Sequence, residues 1–443
     1  MADNGFQSPY VPNTDPDRRA MLDAIGVDSI EELFGDIPDG YLNYDLDIPS
    51  ARDELDLTRY ARTLAAMNRT PGDYACFLGA GSYRHHIPAV VRQITSRSEY
   101  MTAYTPYQPE VSQGTLQTAF EFQSLICQLT GMDVANLGMY DGSTSLAEAA
   151  LMASRITRRH RAAVVDSVSP LYREVLDTYV QAPGIAIDSI SASAASLADD
   201  TACVIVQQPN FYGYMEDVER LAQVAHDAGA LLIVSADPVS LGMFRPPSES
   251  GADIVVGEGQ ALGVPTTFGG PYVGLFSCKQ AYIRQMPGRI VGRTVDTRGE
   301  EAYVLTLQTR EQHIRRERAT SNICTAVALI ALMSTVYLAS FGKRGLHRVA
   351  ELCYHKAHYA AARIDEIPGY SLPMNGTFFQ EFVIECPQSP SEINERLLEY
   401  GIIGGADISA QIPNGMLVCV TELNTREEID KLASALTEIG GTA

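Results

Sequence analysis

Two short segments carry groups able to do chemistry beside expected strand ends. In YDGSTSLAEAA, Tyr140 to Ala150, the residues Gly142, Ser143, Thr144 and Ser145 open a helix, where free backbone N–H groups and the helix dipole attract an anion such as a phosphate. The same spacing also reads as an ordinary capping box of Ser145 with Glu148. Asp237 follows the apolar run LLIVSA, which puts its carboxylate at the C-terminal edge of a sheet, where α/β folds keep ligands and an acid can steady a protonated heterocyclic nitrogen. An Asp-Pro pair there is also a common turn. Further on, Gly257, Gly259 and Gly263 are spaced GxGxxxG, which misses the dinucleotide fingerprint, and no GK[ST] loop occurs. NAD and ATP are therefore disfavoured.

Other constellations are thinner. His355 and His358 share a helical face, whereas His85 and His86 are adjacent; no third metal ligand accompanies either pair, so packed or solvated roles are expected and no metal site. The eight cysteines form no CxxC and sit mostly in apolar runs, as buried free thiols do. No GxSxG elbow exists. The first lysine is Lys279, followed only by Lys343, Lys356 and Lys431, so the segments above hold no amine able to form an imine.

The elements that must position these groups are legible from periodicity. Residues 1–70 read as a helical arm, with helices over Asp15 to Ile25 and Asp53 to Met67 and a capping box from Ser29 to Glu32. Helical patterns over Pro88 to Arg97 and Gln113 to Leu129 flank the extended or turned YTPYQPE, Tyr104 to Glu110. Beyond Tyr140 come short β-branched runs near Val164, 203–206, 231–236, 252–256 and 272–276. Runs this apolar suggest strands buried on both faces of a largely parallel sheet, so residues 71–325 are expected to form a doubly wound α/β domain. Residues 326–443 add a buried helix over Ala326 to Ala339, another near Arg348 to Ile367, and a small α+β domain with strands at 378–385 and GMLVCV and helices at Ser391–Tyr400 and Thr425–Ile439.

Composition sets the outer limits. The chain has 443 residues, a 46% apolar fraction and a formal charge of −21, which disfavours nucleic acid and anionic membranes. Arg310 to Arg318, REQHIRRER, is mixed in sign and reads as a solvated helix face. No stretch of 18 apolar residues occurs, and the polar, Pro-rich Met1 to Asp17 lacks the features of a signal or transit peptide, pointing to the cytoplasm. Acidity with so few lysines also resembles proteins of a salt-filled cytoplasm.

Eight strings, in order, carry a resemblance: FLGAGSYRHHIP (77–88), YTPYQPEVSQG (104–114), FQSLICQLTGMDVAN (122–136), YDGSTSLAEAA, QQPNFYG (207–213), FGGPYVG, MPGRIVG (286–292) and RATSNICTAVAL (318–329). They resemble the P-protein, glycine dehydrogenase (decarboxylating), of the glycine cleavage system, and in length and pattern the separate subunit 1. The resemblance implies a pyridoxal-phosphate fold of type I and a complex that decarboxylates glycine and passes the aminomethyl group to the lipoyl arm of the H-protein. In that family the cofactor lysine belongs to subunit 2. Here Gln260, or Ala261 with a one-residue gap, stands where it would fall, which makes Gly142 to Ser145 a degenerate phosphate cup and Asp237 a degenerate partner of the pyridine nitrogen. Subunit 1 is then expected to bind no cofactor covalently and to pair with subunit 2, two copies of each. Tyr104, Tyr107, Ser321 and Asn322 become candidates for walling the partner's pocket or packing its interface, and Arg289 and Arg293 for meeting an acidic carrier. A scaffold or H-protein docking module, and a self-sufficient enzyme using Lys279, are the alternatives.

Overall fold

The computed structural model describes residues 10, 12–42, 47–324 and 327–440. They fall in two compact units, Met1–Asn68 and Arg69–Ala443. The expected boundary at 325/326 lies outside the described residues.

In the first unit the helix Asp15–Ile25 starts on a Thr14/Asp17 capping box, and Glu54–Ala65 starts on Asp53, whose carboxylate accepts from Asp56 N–H at 2.8 Å. Such caps satisfy N–H groups that the first turn leaves unpaired. Ser29 does accept from Glu32 N–H, but the turn it opens is a short 3₁₀ segment, Glu31–Phe34. No described residue of this unit is buried. Met21 with Ile25, and Leu57 with Tyr60 and Leu64, form apolar stripes at helical spacing that face solvent.

The second unit is organised by a seven-stranded sheet: β1 Val134–Ala135, β2 Arg161–Val165, β3 Ala186–Ile190, β4 Thr201–Gln208, β5 Leu231–Ala236, β6 Ile254–Glu258 and β7 Gly274–Cys278. Its spatial order is β1-β7-β6-β5-β4-β2-β3. Strands β2 to β6 run parallel, while β7 is antiparallel to both β6 and β1. The central strands carry continuous apolar runs because both faces are covered; Val204 to Val206, Leu232 to Val234 and Ile254 are fully buried.

Periodicity missed two features. Strand β3, AIDSI, is a partly exposed edge whose polar residues hide it, and Ile290–Val295 pairs with Glu301–Thr306 in a hairpin whose outer end is polar. REQHIRRER is no continuous helix either. It breaks into turns, Gln308–Arg310, Gln312–Arg315 and Arg316–Arg318, with Arg316 at a φ of 52°.

The two helices expected after 326 are halves of one element, Ala328–Asp365, bent at Gly342 where φ is 59° and ψ −175°. A second core lies between the end of that helix, an antiparallel sheet of Glu381–Glu385, Gly415–Cys419 and Ala406–Asp407, and the helices Pro390–Glu399 and Arg426–Gly440. Five cysteines are buried, but Cys324 is exposed, against the expectation for thiols here. Among the described residues no helix is long and apolar enough to cross a membrane.

Candidate functional site

The C-terminal edge of the parallel strands gathers the first set of residues. Asp237 leaves β5, Glu258 ends β6, and the helix Gly142–Thr157 points its N-terminus at the same edge. The N–H groups of Gly142 and Thr144 at that N-terminus are satisfied from within the chain. Glu258 Oε2 accepts from Gly142 N–H at 2.9 Å, while Asp141 Oδ1 accepts from Thr144 N–H at 2.8 Å and from the Thr144 hydroxyl at 2.7 Å. Ser143 donates to Asp141, and Ser145 to the Asp141 carbonyl at 2.7 Å. The cap is thus Asp141 with Thr144, not Ser145 with Glu148. An added Cβ at Gly142 would meet the Tyr172 hydroxyl at 2.5 Å.

Asp237 is held by the N–H groups of Val239 and Ser240 at 2.8 and 2.9 Å and by Gln380 Nε2 at 3.0 Å. Gln260, 2% exposed, accepts from Tyr83 N–H at 2.8 Å and donates to the carbonyls of Tyr83 and Val264 at 2.9 and 2.8 Å. Its amide is a strut for the 80–83 loop. On the other wall Glu381 accepts from Ala80 N–H at 2.6 Å and from the Tyr83 hydroxyl at 2.7 Å. A cavity of about 50 Å³ lies between Asp237, Glu258, Gln380 and Glu381.

Burial raises the pKa of Glu258 to about 8 and that of Glu381 to about 7. An acid whose folded pKa lies above its unfolded value binds its proton more tightly in the fold, so its contribution favours folding at low pH and is lost as pH rises through the folded value. Stability is therefore expected to fall between about pH 5 and 8, and Glu258→Gln to flatten that slope. Urea unfolding at stepped pH measures it; an unchanged slope in the variant would contradict the assignment.

A second constellation joins residues far apart in sequence. Arg289, 7% exposed, pairs with Glu311 at 3.2 Å and donates to the Tyr107 hydroxyl at 2.9 Å. Arg310 donates to the carbonyls of Met286 and Gly288. Ser321 donates to Glu148 at 2.6 Å, which ties the loop to the middle of the Gly142–Thr157 helix. Arg289, Arg310, Glu311 and Ser321 line one cleft; Ser321 and Asn322 also line a larger cavity of about 660 Å³ with Tyr140, Glu148 and Arg155. Of SNICT, Thr325 lies outside the described residues.

The family model for the glycine cleavage system P-protein matches residues 8–436. The chain belongs to the glycine cleavage system P-protein family. Proteins named probable glycine dehydrogenase (decarboxylating) subunit 1 are similar to it: that of Thermomicrobium roseum is 51% identical over 443 residues, covering 97% of this chain and 99% of the relative, and that of Desulforamulus reducens is 50% identical over 440, covering 96% and 99%. A crystal structure of glycine decarboxylase (P-protein) in inhibitor-bound form matches with a TM-score of 0.91 at 42% identity, over 98% of this chain and all of that one. Lactobacillus brevis glutamate decarboxylase, TM-score 0.66 at 14% identity over 93% and 97% of the two chains, shows the fold alone.

Pyridoxal phosphate, the cofactor that the P-protein resemblance implies, does not fit the cup of this chain. Two of the amides that would hold a phosphate, those of Gly142 and Thr144, are engaged by Glu258 and Asp141. The amide of Gln260 forms no imine. Lys279 offers no substitute. It follows β7 and holds Asp253 at 2.6 Å beside the start of β6, a strand length of about 15 Å from Gln260.

The two arginines separate. Arg289 is buried and committed to Glu311 and Tyr107. Arg293 lies on the exposed end of the hairpin, 3.5 Å from Glu301. Tyr104 is 71% exposed. Sequence reasoning missed Glu258, Gln380, Glu381 and Arg310, although an acid two residues before Gln260 was a visible signal. It also missed the group of buried His85 and Cys353 with half-buried Glu422, whose ligand atoms lie within 4.8 Å of one another. There His85 Nδ1 is 2.7 Å from Glu422, which also accepts from His86 N–H; the arrangement fixes the 80–87 loop.

Proposed function

We propose that this chain is the cofactor-free subunit 1 of a glycine dehydrogenase (decarboxylating), and that it completes an active site whose pyridoxal phosphate and lysine lie on the partner subunit. The observation that carries the reading is the cup itself: in a chain of the P-protein family, Glu258 and Asp141 stand against the helix N-terminus and Gln260 is a strut. The names of the relatives include a subunit number, which implies a partner. The first unit supports it too, since Leu57, Tyr60 and Leu64 are 54%, 44% and 46% exposed and a solvated stripe of this kind calls for a covering surface.

In this reading the chain acts by shape and charge placement. Tyr107, fixed by Arg289, and the Ser321–Asn322 loop, fixed by Glu148, form a preorganised wall toward the partner's substrate, holding polar groups in place and excluding water. Arg293 and the hairpin tip are the surface offered to the H-protein, whose lipoyl arm takes the aminomethyl group. The assembly is two copies of each subunit, in the cytoplasm.

The test combines this chain, subunit 2 and lipoylated H-protein and measures glycine-dependent exchange of carbon dioxide. Activity is expected only from the mixture. A partner fully active alone would overturn the reading in favour of a scaffold. Gln260→Lys in the isolated chain is expected to give no imine absorbance with added pyridoxal phosphate, because Glu258 still blocks the cup; a borohydride-stable adduct on the new lysine would refute that account.

A further inference from the structure

Three side chains from distant parts of the chain meet beside the 80–87 loop. His85 belongs to that loop, Cys353 to the second half of the bent helix Ala328–Asp365, and Glu422 to the turn after the strand Gly415–Cys419. Their ligand atoms lie within 4.8 Å of one another. They converge on Glu422 Oε2, which is 2.7 Å from His85 Nδ1 and 3.5 Å from Cys353 Sγ. The side chains of His85 and Glu422 are only 2% and 9% exposed, and Cys353 is fully buried. Among the described residues no arginine or lysine pairs with that carboxylate; Lys356 donates instead to the backbone carbonyls of Glu422 and Asn424, which pins the turn. A carboxylate removed from water without a guanidinium or ammonium leaves its compensation to an imidazole and a thiol, and both of these are metal ligands by nature.

We propose that His85, Cys353 and Glu422 bind one zinc ion, which staples the 80–87 loop to the C-terminal core. Histidine spacing alone predicts no metal site, because 337 residues of sequence separate His85 from Glu422. Ligand softness selects the class: nitrogen, sulfur and one carboxylate oxygen suit zinc, whereas magnesium and calcium take oxygen throughout. Around a tetrahedral zinc with bonds of about 2.0–2.3 Å the ligand atoms stand roughly 3.3–3.6 Å apart, so the 3.5 Å sulfur–oxygen contact fits as it stands and the 2.7 Å nitrogen–oxygen contact opens by roughly 0.6 Å. Burial, and then Glu422, raise the Cys353 thiol above its ordinary pKa. The ion must therefore displace that proton to solvent, and coordination deprotonates a thiol outright. The imidazole binds through the Nδ1 lone pair with its hydrogen on Nε2, and a water takes the fourth position. One dication, one thiolate and one carboxylate sum to zero, so the loaded group buries no net charge.

The test uses the full chain, dialysed against chelator and then against metal-free buffer. Cobalt(II) is expected to bind as one equivalent with the visible bands of a tetrahedral site and a thiolate-to-cobalt charge-transfer band, both erased by adding zinc. Cys353→Ala is expected to lose the charge-transfer band, and Cys324→Ser, which alters the exposed thiol, to keep it. Zinc chloride should raise the melting temperature by about 3 °C or more over chelator-treated protein and slow amide exchange over residues 80–87; Glu422→Gln should remove most of both effects. A zinc-edge anomalous peak between His85 and Glu422 in crystals of the unmodified chain is the readout that stands even if a variant fails to fold. A cobalt spectrum without a thiolate band, a band that survives Cys353→Ala or vanishes in Cys324→Ser, zinc found only elsewhere, or equal melting with zinc and with chelator would each overturn the proposal and leave the three residues as a hydrogen-bonded strut.

Discussion

Replacing Arg289 with alanine is expected to destabilise the chain by about 3–5 kcal/mol, the range for removing one partner of a buried ion pair. Glu311, whose side chain is 11% exposed, would keep a negative charge with little water to solvate it, and Tyr107 would lose the donor that fixes its hydroxyl. Urea unfolding of the isolated subunit checks the magnitude. In Arg289→Ala/Glu311→Ala part of the loss is expected to return, because both charges are then gone; a double-mutant coupling of about 1 kcal/mol or more is the signature. A single-mutant loss below about 1 kcal/mol would show that the pair is solvated and Arg289 dispensable. Arg289→Lys should recover little, since one ammonium does not reproduce a planar fork that spans Glu311 and Tyr107.

Gly213→Ala is expected to be as severe for a different reason. Gly213 has a φ of +92°, and an added Cβ would overlap the backbone carbonyl of Glu381. The loop cannot retreat, because Gly213 O accepts from Phe379 N–H at 3.0 Å and Met215 N–H donates to Thr377 at 2.9 Å. Left-handed strain and a backbone clash together cost about 3 kcal/mol or more. The cavity wall at Glu381 should shift with it. Loss of soluble folded protein, or a melting temperature lowered by more than about 5 °C, is the expected result; near-native melting would mean that these segments can part to admit a methyl group.

What sequence alone could supply followed burial. Strands β4, β5 and β6 announced themselves because two covered faces demand a continuous apolar run, whereas β3, AIDSI, carries two polar residues and borders solvent, so its pattern fades. Helix ends were legible where caps are local, as at Thr14 and Asp53. The site was harder. Asp237 was placed by its offset from a strand and Gln260 by the family resemblance, but Glu381 reaches Ala80 across 301 residues of sequence, and Arg289 reaches Tyr107 across 182. No periodicity encodes such meetings. Ser145 and Glu148 show the reverse error: a valid local motif lost to a better cap, Asp141, and Glu148 was left for Ser321.

The helical arm has one further consequence. Its helices span 11 and 12 residues and bury nothing, at or below the length at which an isolated helix is marginal in water. Amide hydrogens over 15–25 and 54–65 of the lone subunit should then exchange with solvent orders of magnitude faster than those of β5, and calorimetric unfolding should report residues 69–443 only. On addition of subunit 2, slowed exchange confined to those two stretches would time the moment at which the arm acquires its structure, making it a built-in reporter of assembly independent of turnover.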